Sequence, residues 1–250
     1  MKDLIDFEYV TNSKKQVVHE RITAIITFNR LLFFLISAVV SVLLIGGSSC
    51  AGGKNPVPPE VTIVDSEMTE KEAFDGLNPG CPEEIRKRQK LITVTYYSFD
   101  GRIHQGQLVI DGALEKDIET VFETALQEHF PICSVIPISD MQFRKDGCWD
   151  DDLSMEADNT SAFNYRYVTG SGSRLSKHAY GRAIDINPSQ NPYIKGDTVL
   201  PEGAKYDPDV DGTLTADHPV VLAFLQLGWE WGGNWTSCRD YQHFEKPLNE

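Results

Sequence analysis

Basic residues are scarce in this 250-residue chain: 23 Lys and Arg stand against 37 Asp and Glu, for a formal net charge of −14 and a pI of about 4.8. Binding to phosphates through counterion release needs a basic face, so nucleic acid is not an expected partner. Cysteine is scarce too. There are five, and no two form a CxxC pair, which excludes a zinc ribbon or a thioredoxin-type redox motif. No apolar run reaches the roughly 20 residues that cross a bilayer comfortably; the longest, Leu31 to Ile45, has fifteen. Internal repeats are missing, and so is any βαβ rhythm. Wholesale disorder is excluded by a hydrophobic content of 41% against 24% charged. The length suits one good-sized domain with extra segments.

The run Leu31 to Ile45 follows Arg30 and precedes Gly46-Gly47-Ser48-Ser49-Cys50. A basic residue, a short apolar core and then small residues make an export signal. The small residues before Cys50 resemble the cleavage site of bacterial lipoproteins, with Cys50 as the lipidated residue, although Gly47 stands where an aliphatic residue is usual. Plain signal cleavage and an uncleaved anchor are the other two readings, and all three place the rest of the chain outside the cytoplasm, at a membrane-anchored or exported position in a bacterial envelope. With Cys50 assigned to lipid, Cys81, Cys133, Cys148 and Cys238 remain, an even number for an oxidising compartment with three conceivable pairings. Cys133–Cys148 closes the shortest loop, worth roughly 3 kcal/mol in the chain-entropy account. The bland reading is four reduced thiols.

Residues 1–49 are thus read as an address. Residues 50–90, with Gly52-Gly53, Pro56, Pro58-Pro59 and Pro82 and no sustained apolar period, read as a tether. Regular structure is expected over 91–250. Leu91 to Tyr97 is β-branched and aromatic, Asp100-Gly101 reads as a turn, and Gln107 to Ile110 as the returning strand of a hairpin. Leu114, Ile118, Val121, Phe122, Ala125 and Leu126 recur at helical spacing, with Asp111 as cap and Pro131 as stop. Residues 139–175 read as polar loop and 189–216 as a long Pro/Gly/Asp loop. Tyr180 to Ile186 and Tyr241 to Phe244 read as short strands, and Pro219 to Leu227 as a helix ended by Gly228. Strands and helices without βαβ order make the class α+β.

Two segments carry chemistry. The first runs Ser176-Lys177-His178-Ala179-Tyr180-Gly181-Arg182-Ala183-Ile184-Asp185-Ile186. On a strand, Ala183 and Asp185 share one face and Ile184 and Ile186 the other. The isoleucines suit a core, which turns Asp185 to a cleft, and Gly181 lets the chain bend so that His178 returns over that face. The second runs Gly228-Trp229-Glu230-Trp231-Gly232-Gly233-Asn234-Trp235, then Asp240-Tyr241-Gln242-His243-Phe244-Glu245, where His243 and Glu245 share a face. Two imidazoles and one carboxylate, His178, Asp185 and His243, suit one Zn2+ with a fourth position left for water. Asp240, three residues before His243, is the candidate general base. Glu245 either hydrogen-bonds a ligand histidine or faces solvent. The tryptophans read as core and cleft wall, and His19, His104, His129 and His218 as structural or solvated.

These motifs resemble the M15 family of zinc peptidases, the D-alanyl-D-alanine carboxypeptidases and L-alanyl-D-glutamate endopeptidases of bacterial cell walls. Their pattern S-x-H-x-x-G-x-A-x-D, followed near the C-terminus by D/E-x-x-H, is met by Ser176, His178, Gly181, Ala183 and Asp185, then Asp240 and His243. The surrounding Trp/Gly segment and His-Phe-Glu look VanY-like or endopeptidase-like. The resemblance spans roughly residues 91–250. It implies a small antiparallel sheet flanked by helices, a fold shared with the amino-terminal domain of hedgehog signals. It implies zinc on His178, Asp185 and His243, and Asp240 as base and later proton donor. Phe163-Asn164-Tyr165-Arg166 is similar to the family's upstream segment, which makes Arg166 the group that polarises the scissile carbonyl, and Ser176 a substrate-positioning residue. The implied substrate is the peptidoglycan stem peptide.

A non-catalytic, envelope-anchored metal module of the same fold is the rival reading. A calcium-dependent adhesin is a weaker one. It rests on Asp207-Pro208-Asp209-Val210-Asp211-Gly212, which copies the start of an EF-hand loop. His218 stands where that loop needs glutamate, and Pro208 and Pro219 interrupt its geometry, so the segment reads as an acidic turn.

Overall fold

The computed structural model describes residues 62–169 and 171–248. The expectations about residues 1–49, the apolar run, Cys50 and the first part of the tether lie outside these residues. Among the described residues no helix is long and apolar enough to cross a membrane.

The chain is α+β, with several small sheets. Strands β2 (Gln89–Tyr97) and β3 (Ile103–Asp111) form the expected hairpin, antiparallel from Gln89 opposite Asp111 to Tyr97 opposite Ile103. A single 3-10 turn, Gly112–Leu114, leads into the longest helix, Glu115–Gln127. Asp111 caps that turn as expected, its carboxylate accepting from the Ala113 amide at 3.1 Å. The apolar residues of the two elements interlock. Ile92, Val94, Leu108 and Ile110 of the hairpin and Ile118, Val121, Phe122 and Ala125 of the helix share one core with Val220, Val221 and Phe224 of the helix Pro219–Gln226.

Residues 62–90 differ from the tether reading. A short strand β1 (Ile63–Val64) pairs in parallel with β3, and the chain then runs over the other face of the hairpin through two one-turn helices, Glu70–Ala73 and Glu83–Arg86. There Ala73 is buried with Val109 and Phe163, and Phe74, Leu77 and Ile85 pack against them. This second cover explains why every residue of β3 from Gly106 to Asp111 is buried. The Gln107 side chain ties the segment down: its Oε1 accepts from the Met68 amide at 2.6 Å and its Nε2 donates to the Met68 carbonyl at 3.1 Å. Elements of two to four residues leave no periodic signal, so the proline and glycine content dominated the reading.

The second half holds the smaller sheets. Residues 139–175, expected as loop, carry a tiny hairpin β5–β6 (Arg144–Lys145, Cys148–Trp149) and the helix Asp151–Glu156, while β7 (Asn159–Thr160) pairs with β4 (Ser134–Val135). The 189–216 stretch likewise contains a hairpin, β9 (Tyr193–Lys195) with β10 (Thr198–Leu200). Strand β12 (Arg239–Asp240) pairs on the other edge of β9. The sheet that matters most is antiparallel, in the order β11 (Glu230–Trp231), β13 (His243–Glu245), β8 (Ala183–Asp185). Its inner face enters the main core through Ile184, Trp231 and Phe244, with Phe244 stacked on Phe224 at 4.0 Å between ring centroids.

Cys81, Cys133, Cys148 and Cys238 are all free, so none of the three pairings forms. Cys148 is exposed on β6, whereas Cys133 is held beside Asp158.

Candidate metal centre

Strand pairing brings the two motifs together. His243 and Asp185 stand directly opposite one another in the antiparallel pair β13–β8, and the next pair, Phe244 and Ile184, points into the core. Residues opposite in an antiparallel pair share a face, so His243 and Asp185 face the same cleft. On the far side of Asp185 the chain is held by Ser161, with amide-to-carbonyl bonds of 2.9 and 3.1 Å.

His178 reaches the same point from a 3-10 turn, Lys177–Tyr180, that stops at Gly181 in the left-handed conformation, φ 63°. Ser176 caps the turn, its hydroxyl accepting from the His178 amide at 3.3 Å. The His178 Nδ1 donates to the Ala162 carbonyl at 2.6 Å, which fixes the tautomer and leaves Nε2 with its lone pair directed inward. Nε2 lies 3.2 Å from Asp185 Oδ2 and 3.2 Å from His243 Nδ1. His243 Nδ1 lies 2.9 Å from Asp185 Oδ1. One ligand atom from each of the three residues falls within 4.8 Å of the others, and among the described residues no other group of three His, Cys, Asp or Glu side chains does so.

Electrostatics follow from this crowding. Burial works against charge on Asp185, but the two imidazoles beside it outweigh burial and hold its carboxyl far below the usual carboxylate range. Burial alone would lower His243; hydrogen bonds to Asp185 and Glu245, with the charges of Asp185 and Asp240, push it up to about 10. Glu245 accepts from His243 Nε2 at 3.2 Å, so its carboxylate supports the imidazole from behind. Three carboxylates, Asp185, Asp240 and Glu245, thus act on one buried imidazole. Two imidazole nitrogens and a carboxylate are a donor set suited to zinc.

The centre lies in a cleft of about 580 Å³. Asp240 lines it, and Asp240 Oδ1 is buried with no hydrogen-bond partner. Burial pushes its carboxyl up to about 6, and the charge of Asp185 adds to this against the opposing pull of His243. Arg166 lines the same cleft. Its Nη2 pairs with Asp151 Oδ2 at 2.7 Å, and its Nε is buried without a partner. Asp151 is itself fixed by the Asn164 side-chain amide, 3.0 Å from Oδ1. Backbone bonds from Asn164 N to His178 O, 3.1 Å, and from Ser176 N to Arg166 O, 3.0 Å, strap this segment to the His178 turn. Of the tryptophans, Trp229 and Trp231 are core, and Trp235 is cleft wall, its ring 5.4 Å from that of His243.

All six residues singled out from the sequence therefore line one cleft. Ser176 does so as the cap of the His178 turn. Of the two readings of Glu245, the one that holds a ligand histidine is met; Asp151 and the Ala162 carbonyl were not singled out. Asp151 is one of three consecutive aspartates at 150–152, and nothing in that run distinguishes it.

Residues 169–246 match the peptidase M15 family model described as D-alanyl-D-alanine carboxypeptidase. The matched span contains Ser176, His178, Asp185, Asp240 and His243, and leaves out Asp151, Ala162 and Arg166. No curated protein and no solved structure matches the chain.

Proposed function

We propose that this chain, an M15-family peptidase by the match over residues 169–246, is an exported zinc peptidase that hydrolyses an amide bond in peptidoglycan stem peptides. The observation that carries the reading is the convergence of His178, Asp185 and His243 beside the unpartnered Asp240 Oδ1. His178 Nε2, His243 Nδ1 and the Asp185 carboxylate would hold the ion. Zinc bound there would lower the pKa of water towards 7 and polarise a carbonyl oxygen.

The side chains supply the rest. Asp240, held at about 6 by its burial, suits proton traffic near neutrality. Its Oδ1 takes a proton from the attacking water as the water oxygen bonds to the amide carbon. As the carbon–nitrogen bond breaks, the same oxygen passes that proton to the leaving amine. Arg166, steadied by Asp151, presents positive charge to the carbonyl oxygen as that oxygen gains negative charge.

The substrate is a D,D-carboxypeptidase or an L-Ala–D-Glu endopeptidase substrate, and kinship with the VanY-like branch and the hedgehog-type fold belongs to the same proposal. Anchoring through a lipid on Cys50, or through the apolar run itself, would hold the enzyme at the envelope. A non-catalytic metal module is the weaker reading, because such a module has no need of a buried carboxylate with one unpartnered oxygen beside its ion.

Incubation of the zinc-loaded chain with purified muropeptides, with and without chelator, tests the proposal when products are read by mass. Chelator-sensitive loss of a residue or cleavage of the stem is expected. Asp240→Asn should keep its zinc and lose roughly 10²–10⁴-fold in kcat. An intact, metal-loaded chain that leaves every muropeptide whole would end the peptidase reading in favour of the binding module.

A further inference from the structure

Among the described residues, three cleft-lining side chains carry a buried polar atom with no hydrogen-bond partner: Arg166 at Nε, Asp240 at Oδ1 and Gln242 at Oε1. Arg166 and Asp240 have parts in the proposed reaction. Gln242 has none, yet it is the most deeply buried of the three, with only 4% of its surface exposed. An amide oxygen buried without a donor weakens a fold, and native interiors rarely tolerate one.

The rest of the residue is tied down. The Gln242 carbonyl accepts from the Ile186 amide at 3.0 Å. Its Nε2 donates to the Met155 thioether at 3.9 Å. Burial raises the Asp240 carboxyl, and a hydrogen bond from the Gln242 side chain works against that rise. A thioether and a carboxylate both accept, so both call on Nε2. Turning the amide over would set its oxygen against acceptors. The oxygen is therefore left for a donor that enters the cleft.

The neighbouring helix, Asp151–Glu156, indicates which donor. Asp151 and Met155 are four residues apart and share one face of it. Asp151 steadies Arg166, and Met155 touches Gln242. One helix face thus backs both a charged donor and an orphaned acceptor. In an extended peptide the N–H and C=O of one residue point to the same side. A peptide whose scissile carbonyl meets Arg166 turns the N–H of that same residue to the same wall.

We infer that Gln242 Oε1 accepts a hydrogen bond from the substrate backbone, from the N–H of the residue that owns the scissile carbonyl, and so sets the register in which a peptide is cut. The inference rests on the peptidase reading for the identity of the ligand as a peptide. Gln242 touches substrate without joining the bond-making steps, so its effect is on which peptide bond is presented.

Hydrolysis of one stem peptide by the full zinc-loaded chain is compared with that of two analogues in which an ester oxygen replaces a single N–H. One ester stands at the residue that owns the scissile carbonyl, the other at an N–H away from the scissile amide. Products are read by mass to confirm that the same amide is cut, and binding of all three is followed by calorimetry. Wild type should lose roughly tenfold in kcat/KM on the first ester and little on the second. Gln242→Met should cut the amide peptide and the first ester equally well, whereas Gln242→Glu, which keeps an acceptor, should keep the preference. The lost bond to Asp240 acts on every peptide alike and cancels in the ratio. A wild-type ratio of one at the first ester would overturn the inference, whether or not the Met variant folds. Equal losses on both esters, or a tenfold ratio that persists in Gln242→Met, would do the same. A binding preference for the N–H that Gln242→Met removes, with no hydrolysis of any peptide, would sustain Gln242 and sink the peptidase; hydrolysis without preference would do the reverse.

Discussion

Gly181→Ala tests how the metal centre is held, because this glycine joins the His178 turn to the strand that carries Asp185. Its φ of 63° is left-handed, which costs a non-glycine residue roughly 1–2 kcal/mol. A Cβ there would also stand 2.6 Å from the Asp111 amide nitrogen and 1.9 Å from Gln89 Oε1. The glutamine can move. The Asp111 amide cannot, since it donates to the Gly181 carbonyl at 2.9 Å and Asp111 is buried under Arg88 and Arg182. Forcing a methyl into such a contact costs a further ~1–3 kcal/mol, so the total is about 2–5 kcal/mol. Gly147→Ala is the matched control, with φ 81° and nothing within 4 Å of the added Cβ; it should lose only about 1 kcal/mol. Urea unfolding of the metal-free full chain, read by tryptophan fluorescence, measures both. Zinc competition against a chromophoric chelator measures the site, and Gly181→Ala should weaken affinity roughly 10-fold or more by displacing the support of His178 and Asp185. Adding Gln89→Ala should recover only part of the lost stability. The reasoning fails if the two glycine variants lie within about 0.5 kcal/mol of each other, which is the scatter expected for independent sites.

Three other outcomes are expected. With His243 pushed up to about 10 in the metal-free chain, zinc binding at pH 7 should expel about one proton, visible as a buffer-dependent calorimetric heat; no buffer dependence would contradict the ligand role of His243. The same raised pKa stabilises the metal-free fold fully below the unfolded value of about 6.5 and is lost as pH climbs through about 10, so urea midpoints of the metal-free chain should fall over that window. Asp151→Asn, which removes the charge that aims Arg166, should lower kcat roughly 10-fold at unchanged zinc content, with partial recovery in Asp151→Glu; unchanged kcat would leave Asp151 with no part in positioning. Exposed Cys148 should react with a thiol reagent at pH 8 well before Cys133, whose thiol is pushed up to about 11 by burial and the Asp158 charge. All four thiols from Cys81 onward should react in denaturant without reductant, and a shortfall of two would reveal a disulfide.

The legible parts of the sequence were those with a period or a spacing. The hairpin over 89–111 and the helix over 115–127 bury residues at periods of two and of three to four, and both stand close to where the pattern put them. Asp185 and His243 were legible as facing residues because Ile184, Ile186 and Phe244 are apolar at alternating positions. What escaped is held by contacts rather than by pattern. Residues 62–90 are structured through a glutamine 39 positions from the backbone it holds. The hairpin β9–β10 interrupts what composition marks as loop, and it carries the Tyr193 and Lys195 side of the cleft. A backbone carbonyl such as that of Ala162 leaves no trace in a sequence at all, yet it sets the tautomer of His178.

The boundary of the family match sharpens this point. The span 169–246 contains the three candidate ligands and Asp240, but the turn that carries His178 depends on residues outside it. Ala162 orients His178, Ser161 fixes the backbone of Asp185, and Gln89 and Asp111 grip the chain at Tyr180 and Gly181. Ile184 and Phe244, which turn Asp185 and His243 outward, are buried against a core that the hairpin and the helix 115–127 largely build. Ligand atoms must be held to fractions of an ångström for a metal site to work, and such precision comes from the surroundings of a motif. The motif names the chemistry, while the unmatched half of the domain sets the geometry in which that chemistry operates.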